Sequence, residues 1–154
     1  KVYLDEKDLW ADGRYATALV VVRKRFLDEH PAIVSAFLEE HVSITQRLFT
    51  DPVASKKLVR DEIQKETGKE FPEATFEKAF TGIEPVFDPM VLSVMEQARA
   101  AHAAGYLKKE PDLTGLFDLD LLEEVLQKRD LEPDWLKAVP RIEPPPVVET
   151  EAQK

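Results

Sequence analysis

The side chains best suited to bind a metal ion or transfer protons are the histidines at positions 30, 41 and 102. A helical zinc site needs two histidines about one turn apart, as in His-Glu-x-x-His, and the chain has no such spacing. Glu40 and His41 are neighbours, so on a helix their side chains diverge by about 100° and cannot chelate one ion together. We therefore predict no metal site, and we interpret His41 as a packing residue.

Acidic residues form two clusters that could supply a pair of catalytic carboxylates. The clusters are Asp5, Glu6 and Asp8, and Asp118, Asp120, Glu123 and Glu124. Catalysis needs one carboxyl group whose pKa is raised by its surroundings, and neither pattern imposes this. We interpret both clusters as solvated faces, the second at a helix start where the helix dipole stabilises negative charge.

Other catalytic signatures are missing from the sequence. The chain has no cysteine, which excludes thiolate nucleophiles and cysteine-ligated metals. Its five glycines are scattered, without a phosphate-binding loop, and no Gly-x-Ser-x-Gly turn occurs. We predict that the protein is not an enzyme and uses no cofactor.

Length, charge and hydropathy limit the number of domains and the classes of partner that the chain can have. A chain of 154 residues has room for one domain. Thirty acidic against 21 basic residues give a net charge of −9, which argues against nucleic-acid binding. No apolar run approaches the ~20 residues of a membrane span. The chain opens at Lys1 without an initiator methionine or a secretory signal, so we expect a processed product or a fragment.

Proline, aspartate and glycine residues mark the starts and ends of five predicted helices. Each begins at a capping residue or proline and ends near a glycine or a polar turn. The predicted helices run from Pro31 to about Thr50, from Pro52 to Gly68, from Pro72 to Gly82, from Pro89 to Gly105, and from Leu119 to about Arg129. The first carries an apolar stripe of Val34, Phe37, Leu38, Val42, Thr45, Leu48 and Phe49.

The segment 17–24 differs from the rest because it is rich in β-branched residues without alternation. This pattern predicts a strand buried on both faces, with 2–4 as a possible second short strand. We therefore expect a mostly α fold with one or two short strands. Residues 131–154 contain a run of prolines and predict an extended tail.

Several short motifs follow one another in a distinctive order along the chain. They are Asp5-Glu6-Lys7-Asp8-Leu9-Trp10, Asp12-Gly13-Arg14-Tyr15, Leu19-Val20-Val21-Val22-Arg23, Phe26-Leu27-x-x-His30-Pro31, Phe87-Asp88-Pro89, Ala103-Ala104-Gly105-Tyr106-Leu107 and Asp112-Leu113-x-Gly115-Leu116-Phe117-Asp118. Over about residues 2–130 the series resembles the C-terminal half of an ABC-importer solute-binding protein, in the branch for aliphatic sulfonates, taurine and nitrate.

This resemblance implies the C-terminal part of an α/β type II periplasmic-binding-protein fold. Residues 1–16 would end lobe two and cross over, 17–130 would complete lobe one with a strand and five helices, and 131–154 would form the tail. It implies capture of a small anionic solute, delivery to a permease, and a periplasmic or lipid-anchored extracytoplasmic location. The positions near the hinge of such a fold are Trp10, Arg14, Tyr15 and Thr17.

Two further expectations concern association. If the predicted strand lacks its neighbours, it should pair with a missing N-terminal half or with a second copy in a homodimer. The alternative is a self-contained helical protein-interaction module without a ligand, since five capped helices with apolar stripes could form their own core.

Overall fold

The computed structural model describes residues 3–10 and 13–133. Within these residues the secondary structure is helical, with one short 3-10 helix, Glu6–Leu9, and six α-helices. The α-helices are α1 Lys24–Glu29, α2 Pro31–Thr50, α3 Pro52–Thr67, α4 Glu73–Phe80, α5 Val91–Ala103 and α6 Asp120–Lys128.

The predicted α/β fold class is wrong for the described part of the chain, which contains no strand and no sheet. The segment 17–23 is neither helical nor paired, and α1 begins at Lys24 where the strand was expected to end. The physical reason is that a strand exists only when a neighbour accepts and donates its ladder hydrogen bonds. The apolar side chains of 19–22 are exposed instead, Val21 to 84%. Tyr3 and Leu4 are likewise outside any strand, and Val2 lies outside the described residues.

Ion pairs one turn apart favour the short helix α1, which we did not predict. The Lys24 ammonium contacts the Asp28 carboxylate at 2.8 Å, and the Arg25 guanidinium contacts Glu29 at 2.8 Å. Such pairs stabilise a helix by a few tenths of a kcal/mol each. Arg23 is the N-cap residue of α1, and Lys24 and Arg25 lie in its first turn.

Local capping explains the helix ends that the sequence does predict. Pro31 and Pro52 are the first residues of their helices. The Asp51 side chain accepts a hydrogen bond from the Ala54 N–H at 3.2 Å. Gly68 ends α3 in the left-handed conformation, and its N–H donates to the Gln64 carbonyl at 2.8 Å. The helix over 52–67 is thus confirmed at both ends.

The described residues divide into two compact units. One comprises those of Lys1–Val21, Asp88–Asp120 and Glu132–Lys154, and the other those of Val22–Phe87 and Leu121–Leu131. The sequence-based division at 1–16, 17–130 and 131–154 stays a prediction, and residues 134–154 of the expected tail lie outside the described residues.

The helical unit from Val22 has a small apolar core. Val42 of α2 and Val125 and Leu126 of α6 are fully buried. The Arg129 guanidinium donates to the Glu39 carbonyl at 3.1 Å and links the end of α6 to α2. Val34 and Thr45 of the predicted α2 stripe are also buried, but Phe37 and Phe49 are exposed.

In the same unit, a lysine side chain of α3 contacts two residues of α4. The Lys56 ammonium contacts the Glu77 carboxylate at 2.6 Å and lies 5.6 Å from the centre of the Phe80 ring. Phe80 packs on Phe76 with ring centroids 4.8 Å apart. Phe76 is buried, so this contact adds a second apolar cluster to the unit.

Truncation of the most buried side chain of α6 tests this core. We expect Leu126→Ala to lower the free energy of unfolding by about 2–5 kcal/mol, because it deletes methyl groups from a site with 0% exposure. Leu58→Ala on α3 is the matched control, since Leu58 is 50% exposed and alanine is the better helix former. Urea denaturation followed by circular dichroism measures both. Equal effects of the two variants would contradict the core assignment.

Candidate functional site

The predicted ligand-binding residues lie on one short segment of the unit that contains α5. The segment begins with the 3-10 helix Glu6–Leu9, whose N-cap Asp5 accepts a hydrogen bond from the Lys7 N–H at 3.2 Å. The chain then turns at Gly13, which has a φ of 66°. The Gly13 N–H donates to the Trp10 carbonyl at 3.1 Å. A side chain at position 13 would be strained at this φ, so the turn favours glycine.

This turn brings two of the four predicted residues into contact. The rings of Trp10 and Tyr15 are stacked, with centroids 5.6 Å apart and an interplanar angle of 13°. Both residues are half-buried, whereas Arg14 and Thr17 are exposed. The segment therefore presents a flat aromatic pair together with an exposed guanidinium-bearing and an exposed hydroxyl-bearing residue.

Two residues of α5 hold the backbone of this segment. The Ala16 N–H donates to the Ser93 hydroxyl at 3.0 Å. The Gln97 side-chain amide donates to the Ala16 carbonyl at 2.9 Å and to the Ser93 hydroxyl at 3.2 Å. Both backbone polar groups of Ala16 are thus satisfied by side chains that lie one helical turn apart.

Our sequence analysis missed Ser93 and Gln97. The available signal was a hydroxyl and an amide at i and i+4 on a helix whose neighbouring positions are mainly apolar, such as Val91, Leu92 and Met95. The sequence does not reveal their partner, because Ala16 lies 77 residues from Ser93 along the chain.

Charged neighbours shape the electrostatics of the segment. The hydrogen bonds from Lys7 hold the pKa of the Asp5 carboxyl below its usual value, and the Asp5 carboxylate raises the pKa of the Lys7 ammonium. Burial raises the pKa of the Tyr15 hydroxyl, and the negative charges of Glu6 and Asp5 raise it further. The Tyr15 hydroxyl therefore stays protonated, and remains a hydrogen-bond donor, to a higher pH than an ordinary tyrosine hydroxyl.

The same unit also has a hollow of about 270 Å³ along α5. Its lining includes Met95, Arg99, Glu110, Asp112 and Thr114. Asp112 accepts a hydrogen bond from the Thr114 N–H at 2.9 Å, and its hydrogen bonds to Thr114 lower the pKa of this carboxyl. Two carboxylates beside a single guanidinium disfavour an anion here.

Two of the histidines pack against aromatic rings rather than against each other. The His41 ring is stacked on Phe37 with centroids 6.1 Å apart, and His30 meets the edge of Phe26 at 5.0 Å. Residues 3–10 and 13–133 contain no group of three or more histidines and acidic residues placed to hold a metal ion. Over the same residues, no helix has the length and apolar character needed to cross a membrane.

Comparison with protein-family models, with curated proteins and with solved structures gives no match for this chain. The family resemblance therefore depends on the ordered motifs of the sequence alone.

Titration of Tyr15 tests the geometry of the aromatic pair. In a Y3F Y106F background, which leaves Tyr15 as the single tyrosine, we expect its pKa to lie above the ordinary 10.0. Glu6→Gln should lower it because one negative charge is removed, while Asp8→Asn should not, since Asp8 does not contribute to the shift. Absorbance at the phenolate band measures each value.

The same shift has a consequence for stability. The folded state holds the Tyr15 proton more tightly than the unfolded state, so its stabilising contribution is present below the unfolded pKa. That contribution is lost as the pH rises through the folded pKa. An ordinary pKa, insensitive to Glu6→Gln, would contradict the described surroundings of Tyr15.

Proposed function

We propose that this chain is the C-terminal portion of the solute-binding component of an ABC importer, and that it contacts a small anionic solute such as an aliphatic sulfonate, taurine or nitrate. In this proposal the protein works outside the cytoplasmic membrane, in the periplasm or on a lipid anchor, and delivers the solute to a permease. The observation that carries the proposal is the stacking of Trp10 on Tyr15 beside the anchored residue Ala16, with Arg14 next to Tyr15 in sequence.

The chemistry of this segment suits a sulfonate. A guanidinium donates paired hydrogen bonds to the oxygens of a planar or tetrahedral anion, and a hydroxyl adds a further donor. Arg14 and Thr17 supply these two groups, and both residues are exposed. The aromatic pair offers an apolar wall for the carbon chain that an aliphatic sulfonate carries next to its charge.

The exposed apolar run at 19–22 is consistent with a portion of a larger protein. Leu19, Val20, Val21 and Val22 stand in succession on non-helical backbone, each more than a third exposed. Burying apolar surface is worth roughly 25 cal/mol per Å², so such a run gains stability when another part of a protein covers it. In our proposal the remainder of the solute-binding protein covers this run and completes the site.

Anion titration of the chain followed by NMR tests this proposal. We expect ethanesulfonate, taurine and nitrate to shift the Trp10 indole N–H signal with a dissociation constant in the millimolar range, because only part of the site is present. Arg14→Gln should weaken binding about tenfold, the loss of one charged hydrogen-bonding group. Arg25→Gln is the matched control, since Arg25 is an exposed arginine of the other compact unit.

Glu6→Gln is a variant that we expect to change the anion affinity in the opposite direction from Arg14→Gln. Its carboxylate lies close enough to raise the pKa of Tyr15, so it also repels an anion bound there. We expect this variant to bind the anions more tightly than the natural chain. The proposal fails if Arg14→Gln and Arg25→Gln weaken binding equally, or if no anion shifts the Trp10 signal.

A different observation favours a second candidate function, a helical interaction module. Helix α2 presents an exposed apolar stripe of Ile33, Phe37 and Ile44, with Phe37 48% exposed. These residues recur at the spacing of one helix face. In the described part of the chain, Ile33, Phe37 and Ile44 are left about half exposed to solvent.

The partner that fits this stripe is a second copy of the chain. A two-fold axis between Glu40 and His41 places Phe37 opposite Ile44 of an antiparallel partner helix, so large apolar groups face each other. The same axis sets the Glu40 carboxylate opposite the partner's His41, a hydrogen-bond acceptor facing a potential donor. The stripe is thus complementary to itself.

Sedimentation over a range of protein concentrations tests this second function. We expect reversible dimerisation that Phe37→Glu abolishes, because the variant places carboxylates in the apolar contact. Phe49→Glu is the matched control, since Phe49 is exposed on α2 but lies about 120° around the helix from Phe37. A chain that stays monomeric, or that loses dimerisation equally in both variants, would contradict the α2 interface.

A further inference from the structure

We propose that Ser93 and Gln97 are positioning residues that set the direction of the ligand-contacting segment. The inference rests on the proposed function, because it assigns a role toward the solute to two residues that never touch it. Its basis is the pair of hydrogen bonds that close around Ala16, the residue between Tyr15 and Thr17.

The geometry of the contact leaves the Ala16 peptide little freedom. Ser93 accepts from the N–H at 3.0 Å and Gln97 donates to the carbonyl at 2.9 Å, so the two bonds oppose rotation of the backbone at this residue. Gln97 also donates to the Ser93 hydroxyl, which orients that hydroxyl toward the Ala16 N–H. Ser93 is 7% exposed, so water competes poorly for its hydrogen bond.

Fixing Ala16 also fixes its neighbours. Tyr15 and Thr17 are bonded directly to Ala16, so restricting rotation at Ala16 restricts the positions that their side chains can reach. The clamp formed by Ser93 and Gln97 thereby helps to hold the Tyr15 ring against Trp10 and limits where Thr17 can lie. Without the clamp the segment would sample many backbone states, and binding an anion would cost the entropy of ordering it.

Two variants separate the two halves of the clamp. Ser93→Ala removes the acceptor for the Ala16 N–H, and we expect hydrogen exchange at that amide to accelerate about tenfold. Gln97→Glu keeps the size of the side chain but sets a carboxylate against the Ala16 carbonyl, where a donor is required. It should weaken ethanesulfonate binding by about tenfold at neutral pH.

Protonation of the introduced carboxyl should restore the clamp and, together with it, the affinity for ethanesulfonate, which a purely structural anchor would leave unchanged. A protonated carboxyl group can again donate to the Ala16 carbonyl, so in Gln97→Glu the Ala16 protection factor and the nuclear Overhauser contacts between Trp10 and Tyr15 should recover as the pH falls. Glu96→Ala, an exposed neighbour on α5, is the control and should leave protection and affinity unchanged. Thermal unfolding of every variant shows whether folding is retained.

The outcomes of this experiment are distinct. Faster exchange at Ala16, loss of the ring contacts and weaker ethanesulfonate binding in both variants support the positioning role. Unchanged exchange at Ala16 and unchanged ring contacts in both variants overturn it, as does lost protection with undiminished anion affinity. If the natural chain does not bind ethanesulfonate, the proposed function fails and the positioning of a ligand segment is overturned with it. The exchange and ring-contact data then identify the clamp as a structural anchor alone.

Discussion

A peptide group that is removed from water needs a hydrogen-bond partner within the protein, and this requirement governs the N-terminal part of the described chain. In a sheet the partner is a neighbouring strand, but at Ala16 the partner consists of two side chains of α5. Because these two side chains take the place of a strand, they tie residues 14–17 to a helix about 77 positions away in sequence. The stacking of Trp10 on Tyr15 then follows, because the Gly13 turn and the anchored Ala16 limit where the second ring can lie.

The unit that contains α2 combines a small buried core with a large exposed apolar surface. Val42, Val125 and Leu126 are fully buried, whereas Ile33, Phe37 and Ile44 remain exposed on the same long helix. A single helix with apolar residues on two faces is typical of an element that is covered from both sides. The core face is covered within the unit, and the outer face is the surface on which our second candidate function depends.

Sequence reasoning succeeded where the decisive interactions are local. Asp51 caps the helix that follows it through Ala54, three residues away, and Gly68 ends the same helix through Gln64, four residues away. It failed where they are distant, because residues 17–22 have the composition of a strand but no strand forms without a partner. The same limit applies to the site. The shared segment of Trp10, Arg14, Tyr15 and Thr17 is visible in the sequence, whereas Ser93 and Gln97 become part of it only in three dimensions.

The net charge of −9 does not determine the potential at this site. Charges separated by more than about 10 Å are largely screened at moderate ionic strength, so the few groups near Tyr15 dominate. The Asp5 carboxylate is paired with Lys7 at 3.0 Å, and the negative charges of both Glu6 and Asp5 reach the Tyr15 hydroxyl. Under the proposed function, an anion at this segment therefore responds to the charges around Tyr15 rather than to the charge of the whole chain. The acidic composition is then compatible with an anionic solute, and Glu6 and Asp5 are the carboxylates that would lower its affinity.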